Sequence, residues 1–112
     1  MEREAAVLRA LGDPTRLRLA VLLAIQGETC VCELAAAVDE PPYKVSRHLG
    51  VLRSAGLVEA RREGAWMHYQ LVKGSGPLEK SLQACFRDQL KNHKTVREDL
   101  RRLRRGACKK GD

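Results

Sequence analysis

The stretch from Thr29 to Leu71 constrains the fold most, because three local signals follow one another there with little room between them. Residues 30–38 (CVCELAAAV) set Val31, Leu34 and Val38 at helical spacing and read as a short helix. Thr29 is its expected N-cap, with Cys32 where a capping box would put Glu or Gln. Asp39-Glu40-Pro41-Pro42 is a turn, since a residue preceding proline is pushed out of the helical region. From Pro42 to about Ala55 a second helix turns Val45, Leu49 and Leu52 inward, and Gly56 ends it. Two helices on so tight a turn, the second bearing Lys44, Ser46, Arg47 and His48, make a helix-turn-helix pattern. Residues 57–63 and 65–72 read as two strands around Glu63-Gly64, with Met67, Tyr69 and Leu71 alternating on one face. A hairpin directly after a helix-turn-helix is a wing.

The flanking sequence fits the same architecture. A short helix over residues 3–11 carries Ala5, Leu8 and Leu11. Asp13 then Pro14 start the next helix, an N-cap followed by a residue favoured at the first helical position. That helix runs to Gln26 with Leu17, Val21, Ala24 and Ile25 inward and Arg16 and Arg18 outward. After Gly74-Ser75-Gly76-Pro77 a last helical stretch carries Leu78, Leu82, Cys85 or Phe86, and Leu90, and is expected to continue through Val96, Leu100 and Leu103. The fold class is therefore mainly α with a small β-hairpin: a winged helix-turn-helix. The expected division is a DNA-binding and dimerisation domain over residues 1–93, then a basic extension over 94–112, helical at first and then a flexible tail. One short domain buries proportionally little surface, so a homodimer is expected. The first and last helices carry the apolar stripes to form it.

The formal net charge is +7, which favours a polyanion partner. Much of the excess lies from Lys94 onward. No apolar run is long enough to span a membrane, and the N-terminal residues lack a signal-peptide core. The expectation is a cytoplasmic protein with no membrane partner, its thiols reduced. A helix fits the major groove of double-stranded DNA and reads base edges from its N-terminal residues. Tyr43, Lys44, Ser46 and Arg47 are the candidate readers. Arg53 suits a backbone phosphate, and Arg61 and Arg62 in the wing suit an adjacent groove or backbone. Catalysis is not expected: there is no Gly-rich phosphate loop, and His48 and His68 fall on the reader helix and the wing.

Cys30-Val31-Cys32 is the most chemically pointed feature. Two close thiolates suit a soft ion, and a trigonal metalloid needs three ligands where structural zinc wants four. Residues i and i+2 do not face each other on a helix. One ion gripped by both sulfurs is therefore expected to unwind the helix start and shift the reader helix. A thiol redox sensor is an alternative on the same residues, with any disulfide involving Cys85 or Cys108. An architectural DNA binder without a sensor is another.

LGDPTRLRLAVLL (11–23), ETCVCEL (28–34) and VSRHLGVLRSAGLVEARREGAWMHYQL (45–71) together resemble the ArsR/SmtB family of bacterial metal-sensing repressors, over roughly residues 5–90. The resemblance implies a homodimeric winged-helix repressor that leaves its operator when an ion binds, with Cys30 and Cys32 as ligands and As(III) or Sb(III) as inducer. No cofactor is expected for folding. Arsenic-sensing members often carry a third Cys where this chain has Ala35, so the third ligand falls to Cys108, to Cys85 or to an outside thiol. Pro41 stands where the family often has a Ser. Asp88 and His93 lack the paired spacing of the family's last-helix zinc site, and the N-terminal Cys pair of some cadmium and lead sensors is missing. A cadmium or lead sensor remains an alternative.

Overall fold

The computed structural model describes residues 1–74 and 76–104. Its elements run α1 (Glu2–Leu11), α2 (Pro14–Gln26), β1 (Thr29–Cys30), α3 (Val31–Val38), α4 (Pro42–Ser54), β2 (Val58–Glu63), β3 (Trp66–Leu71), α5 (Pro77–Gln89) and α6 (Lys94–Arg104). Helix starts follow the sequence cues. The Asp13 carboxylate accepts the Arg16 amide at 3.0 Å, and Pro14 sits in the first turn of α2. Gly27 ends α2 at φ 84°, a conformation a Cβ would strain. Asp39 takes the left-handed conformation at the end of α3, φ 58°, ψ 50°, and so folds the chain back into the Pro41-Pro42 start of α4.

The core is one cluster. Leu19, Leu22, Leu34, Leu49 and Leu52 are fully enclosed between α2, α3 and α4, joined by Leu57, Val58, Tyr69 and Leu71 from the wing. Each fully buried leucine contributes about 2 kcal/mol of apolar transfer energy, an upper value for a chain already partly collapsed when unfolded.

Three sequence expectations change. The wing is a three-stranded antiparallel sheet in the order β1-β3-β2, because Thr29 and Cys30 are extended and pair with Tyr69 and His68. Residue 30 is thus outside the helix. Cys30, not Thr29, is the N-cap of α3, and the third helical position is Glu33, not Cys32. Last, the final helical stretch breaks after Gln89 and restarts at Lys94. The break lets α6 fold against α3 and α2, where Val96, Leu100 and Leu103 join the core. That stripe is occupied within the chain. The exposed apolar residue of α1 is Leu8.

Candidate functional site

The reader helix is seated from beneath by Val45, Leu49 and Leu52, all fully buried, which leaves the opposite face to solvent. Tyr43, Lys44, Ser46 and Arg47 are exposed in its first two turns, and Arg53 is exposed in its last. Tyr43 is 64% exposed, unusual for so large a ring in a monomer's surface. Pro41 caps the helix without a side-chain hydrogen bond, Pro42 has no amide proton, and the Lys44 amide donates to Pro41 O at 3.0 Å. Lys44 is only loosely tied, its Nζ 3.7 Å from Glu40 Oε1. His48 turns back toward α2, half-buried 3.9 Å from the Asp13 carboxylate.

In the wing, Arg62 is exposed, but Arg61 is engaged. Its Nε and Nη2 donate to the two carboxylate oxygens of Glu28 at 3.1 and 2.7 Å. That carboxylate, aided by Glu63, holds the Arg61 pKa above the ordinary arginine value. Glu28 lies two residues ahead of Cys30, so the wing cation and the thiol segment are physically joined.

The two sulfurs come together at the junction of β1 and α3. Cys30 Sγ and Cys32 Sγ are 3.6 Å apart. Cys30 is fully buried with extended backbone, φ −69°, ψ 145°, and its amide donates to Glu33 Oε1 at 3.2 Å. A soft ion holding two sulfurs at roughly 2.3 Å each requires them about 3.5–3.8 Å apart. Cys32 is disulfide-bonded, so the donor set fits such an ion at this spacing only once that sulfur is reduced. The premise of the unwinding expectation changes, because Cys30 precedes the helix and its sulfur already lies beside that of Cys32. Among the described residues no group of three or more His, Cys, Asp or Glu is preassembled around the pair. Cys85 is exposed on α5, which packs on α2, while Cys108 lies outside the described residues.

Residues that sequence reasoning missed hold the other end of α3. Asp99 of α6 is fully buried and accepts from Arg18 Nε at 2.9 Å and Nη2 at 2.7 Å, and from Arg102 Nη2 at 2.8 Å. The two guanidiniums in turn donate to the last carbonyls of α3: Arg18 to Val38 O at 3.2 Å and Arg102 to Ala37 O at 2.8 Å. The Asp99 carboxylate raises the Arg18 pKa, against the effect of burial. Arg18 was expected to face solvent. The one clue to its partner was an acid inside the apolar spacing of Val96, Leu100 and Leu103.

Known proteins give the same picture. Residues 13–60 match the model of the bacterial regulatory protein arsR family. The solution structure of the homodimeric winged helix-turn-helix DNA-binding domain of a possible ArsR-family regulator from Mycobacterium bovis superposes with a TM-score of 0.65 at 36% identity, covering 82% of each chain. This chain belongs to the ArsR family. An uncharacterised HTH-type transcriptional regulator of Methanocaldococcus jannaschii is 44% identical over 71 residues, 63% of this chain and 80% of that protein. The arsenical resistance operon repressor of Escherichia coli K12 is 46% identical over 65 residues, 58% of this chain and 56% of that protein. A cadmium resistance regulatory protein CadC homologue of Staphylococcus aureus is 37% identical over 67 residues, 60% of this chain and 55% of that protein. This ArsR-family chain thus spans little more than half the length of the last two. Its family and fold are those of DNA-binding transcriptional regulators, not of enzymes. Among the described residues no helix is long and apolar enough to cross a membrane.

Proposed function

We propose that this ArsR-family protein is a cytoplasmic, homodimeric repressor that holds double-stranded operator DNA through α4 and the wing and releases it when Cys30 and Cys32 take up trivalent arsenic or antimony. The observation that carries the reading is the sulfur pair, 3.6 Å apart at the point where the wing sheet meets α3. Similarity to the E. coli arsenical repressor supports the choice of ion. Tyr43, Lys44, Ser46 and Arg47 read the groove, Arg53 and Arg62 hold phosphates, and Arg61 joins them when its Glu28 contact opens.

The ion supplies short bonds to thiolate sulfur and demands a third donor. Cys108 is favoured over Cys85. Arg102 reaches Ala37 O, while Asp99, one turn earlier, meets Arg18 beside Val38 O. Cys108 follows Arg104 by four residues, a reach of roughly 13 Å when extended. Drawing Cys30 toward a third sulfur turns its backbone. That costs the Cys30–Glu33 cap and loosens the Cys30–His68 pairing, so α3 and the wing move together. By linkage, operator DNA weakens ion binding by the same factor.

The test is operator binding by wild type, Cys30→Ser and Cys32→Ser under reducing conditions, titrated in turn with trivalent arsenic, trivalent antimony, cadmium and lead. Release by arsenic or antimony in wild type and none in either variant is the expected result. An arsenic-loaded protein that stays on its operator overturns the reading. Comparison of Cys108→Ser with Cys85→Ser assigns the third donor. A cadmium response is the second reading, favoured by the S. aureus relative, and release by cadmium alone would select it.

A further inference from the structure

We propose that the outer face of α6 is a second nucleic-acid contact, gripping the phosphate backbone of duplex DNA beside the segment that α4 reads; the proposal rests on the DNA-binding reading above. Lys94, Arg97, Arg101 and Arg104 recur at i, i+3, i+7 and i+10, and all four are exposed. That spacing keeps them on one helical face, a stripe about 15 Å long. Lys91 and Asn92, from the turn before α6, line a cleft with Arg97, Arg101 and Arg104, and Asn92 lines a second with Lys94, Arg97 and Arg101. Glu98 is the one acid in either lining. None of these five cations has an ion-pair partner among the described residues. Arg18 of α2 and Arg102, by contrast, share the Asp99 carboxylate on the inner side of α6.

The inner side makes the stripe more than a solvated charge run. Val96, Leu100 and Leu103 are buried, and the Asp99 cluster bonds α6 to the last carbonyls of α3. The stripe is therefore held in fixed register to the first helix of the helix-turn-helix, the one that crosses the DNA backbone in such complexes. α3 packs against both α4 and α6. At 8–10 Å per helix packing, α6 lies roughly 20 Å from the reader axis, within reach of phosphates flanking the half-site. An acidic protein is the poorer fit. Protein interfaces centre on apolar and aromatic residues, and the exposed positions of α6 carry none. Phosphate contact needs only cations at helical spacing.

The test uses the full chain with Lys94, Arg97, Arg101 and Arg104 all changed to Gln. The probe is a duplex of unrelated sequence, about 40 base pairs long so that it extends past two half-sites one turn apart. The salt dependence of its affinity is measured by fluorescence anisotropy. Each lost phosphate contact lowers the slope of log K against log salt by about 0.9, so a drop of at least ~2 is expected. Arsenic-induced operator release and the operator-to-unrelated affinity ratio stay within about two-fold of wild type, whereas Arg47→Gln lowers the ratio. Arg101→Gln alone, expected to lower the slope by ~0.9, keeps the test readable if the fourfold variant does not fold. An unchanged slope in a folded variant overturns the proposal, and so does a loss confined to binding of an acidic polypeptide. Failure of wild type to prefer any operator sinks the repressor reading, yet the unrelated duplex still decides the stripe.

Discussion

At its C-terminal end α3 is fastened by charge: a buried aspartate grips two guanidiniums that between them hold the last carbonyls of the helix. With the thiols reduced, the N-terminal end of α3 is held by the reciprocal cap of the Cys30 amide on Glu33 and by a two-residue strand. Breaking a buried ion cluster costs several kcal/mol, whereas breaking a cap costs about one. The helix therefore has a fixed end and a movable end. The sulfurs lie at the movable one. A ligand that shifts α3 by acting there works against the weaker restraint, and the fixed end acts as pivot.

Four substitutions separate the two ends, Asp99→Asn with the largest effect. Asp99→Asn leaves two guanidiniums without their carboxylate and should cost about 3 kcal/mol of stability in urea unfolding. If it costs less than the N-terminal cap does, the fixed end is not fixed by charge. Glu33→Ala should cost about 1 kcal/mol in the same experiment and lower the arsenic concentration needed for operator release. A variant that releases no more readily than wild type breaks the idea of a movable end. Asp13→Ala is the control, a cap on α2 remote from the sulfurs: about 1 kcal/mol of stability lost with the arsenic response unchanged. The amide of Arg16, helped by the nearby charges, holds the Asp13 pKa below its ordinary value. A depressed folded-state pKa makes the contribution complete above the unfolded aspartate value and lost as pH falls through the folded one. The difference between wild type and Asp13→Ala should therefore be full at neutral pH and shrink below about pH 4. The smallest effect is expected from Glu28→Gln. Thermal stability should be unchanged, since exposed ion pairs contribute little, while operator affinity rises a few-fold as Arg61 is freed. Weaker operator binding in that variant would show that Glu28 instead positions Arg61 on the DNA.

Periodicity, proline and capping chemistry made α1, α2, α4 and the β2–β3 hairpin readable from the chain, because each is decided by neighbours in sequence. The reader face was legible for the same reason: burying Val45, Leu49 and Leu52 dictates which side Lys44 and Arg47 occupy. Two things were not readable. The extended state of Cys30 is chosen by pairing with His68, far along the chain, and that pairing reversed the expected geometry of the sulfurs. Asp99 read as a surface acid, since only the folding of α6 onto α3 brings Arg18 to it. Both are long-range contacts that outweigh a local preference.

The strand that touches Cys30 begins at Trp66, the single tryptophan of the chain. Its indole is partly covered, two residues from the His68 that faces Cys30 across the sheet. Any disturbance of that short pairing changes the surroundings of the indole directly. The emission of one native fluorophore can therefore follow occupancy of the thiols in the unlabelled protein, with DNA present or absent.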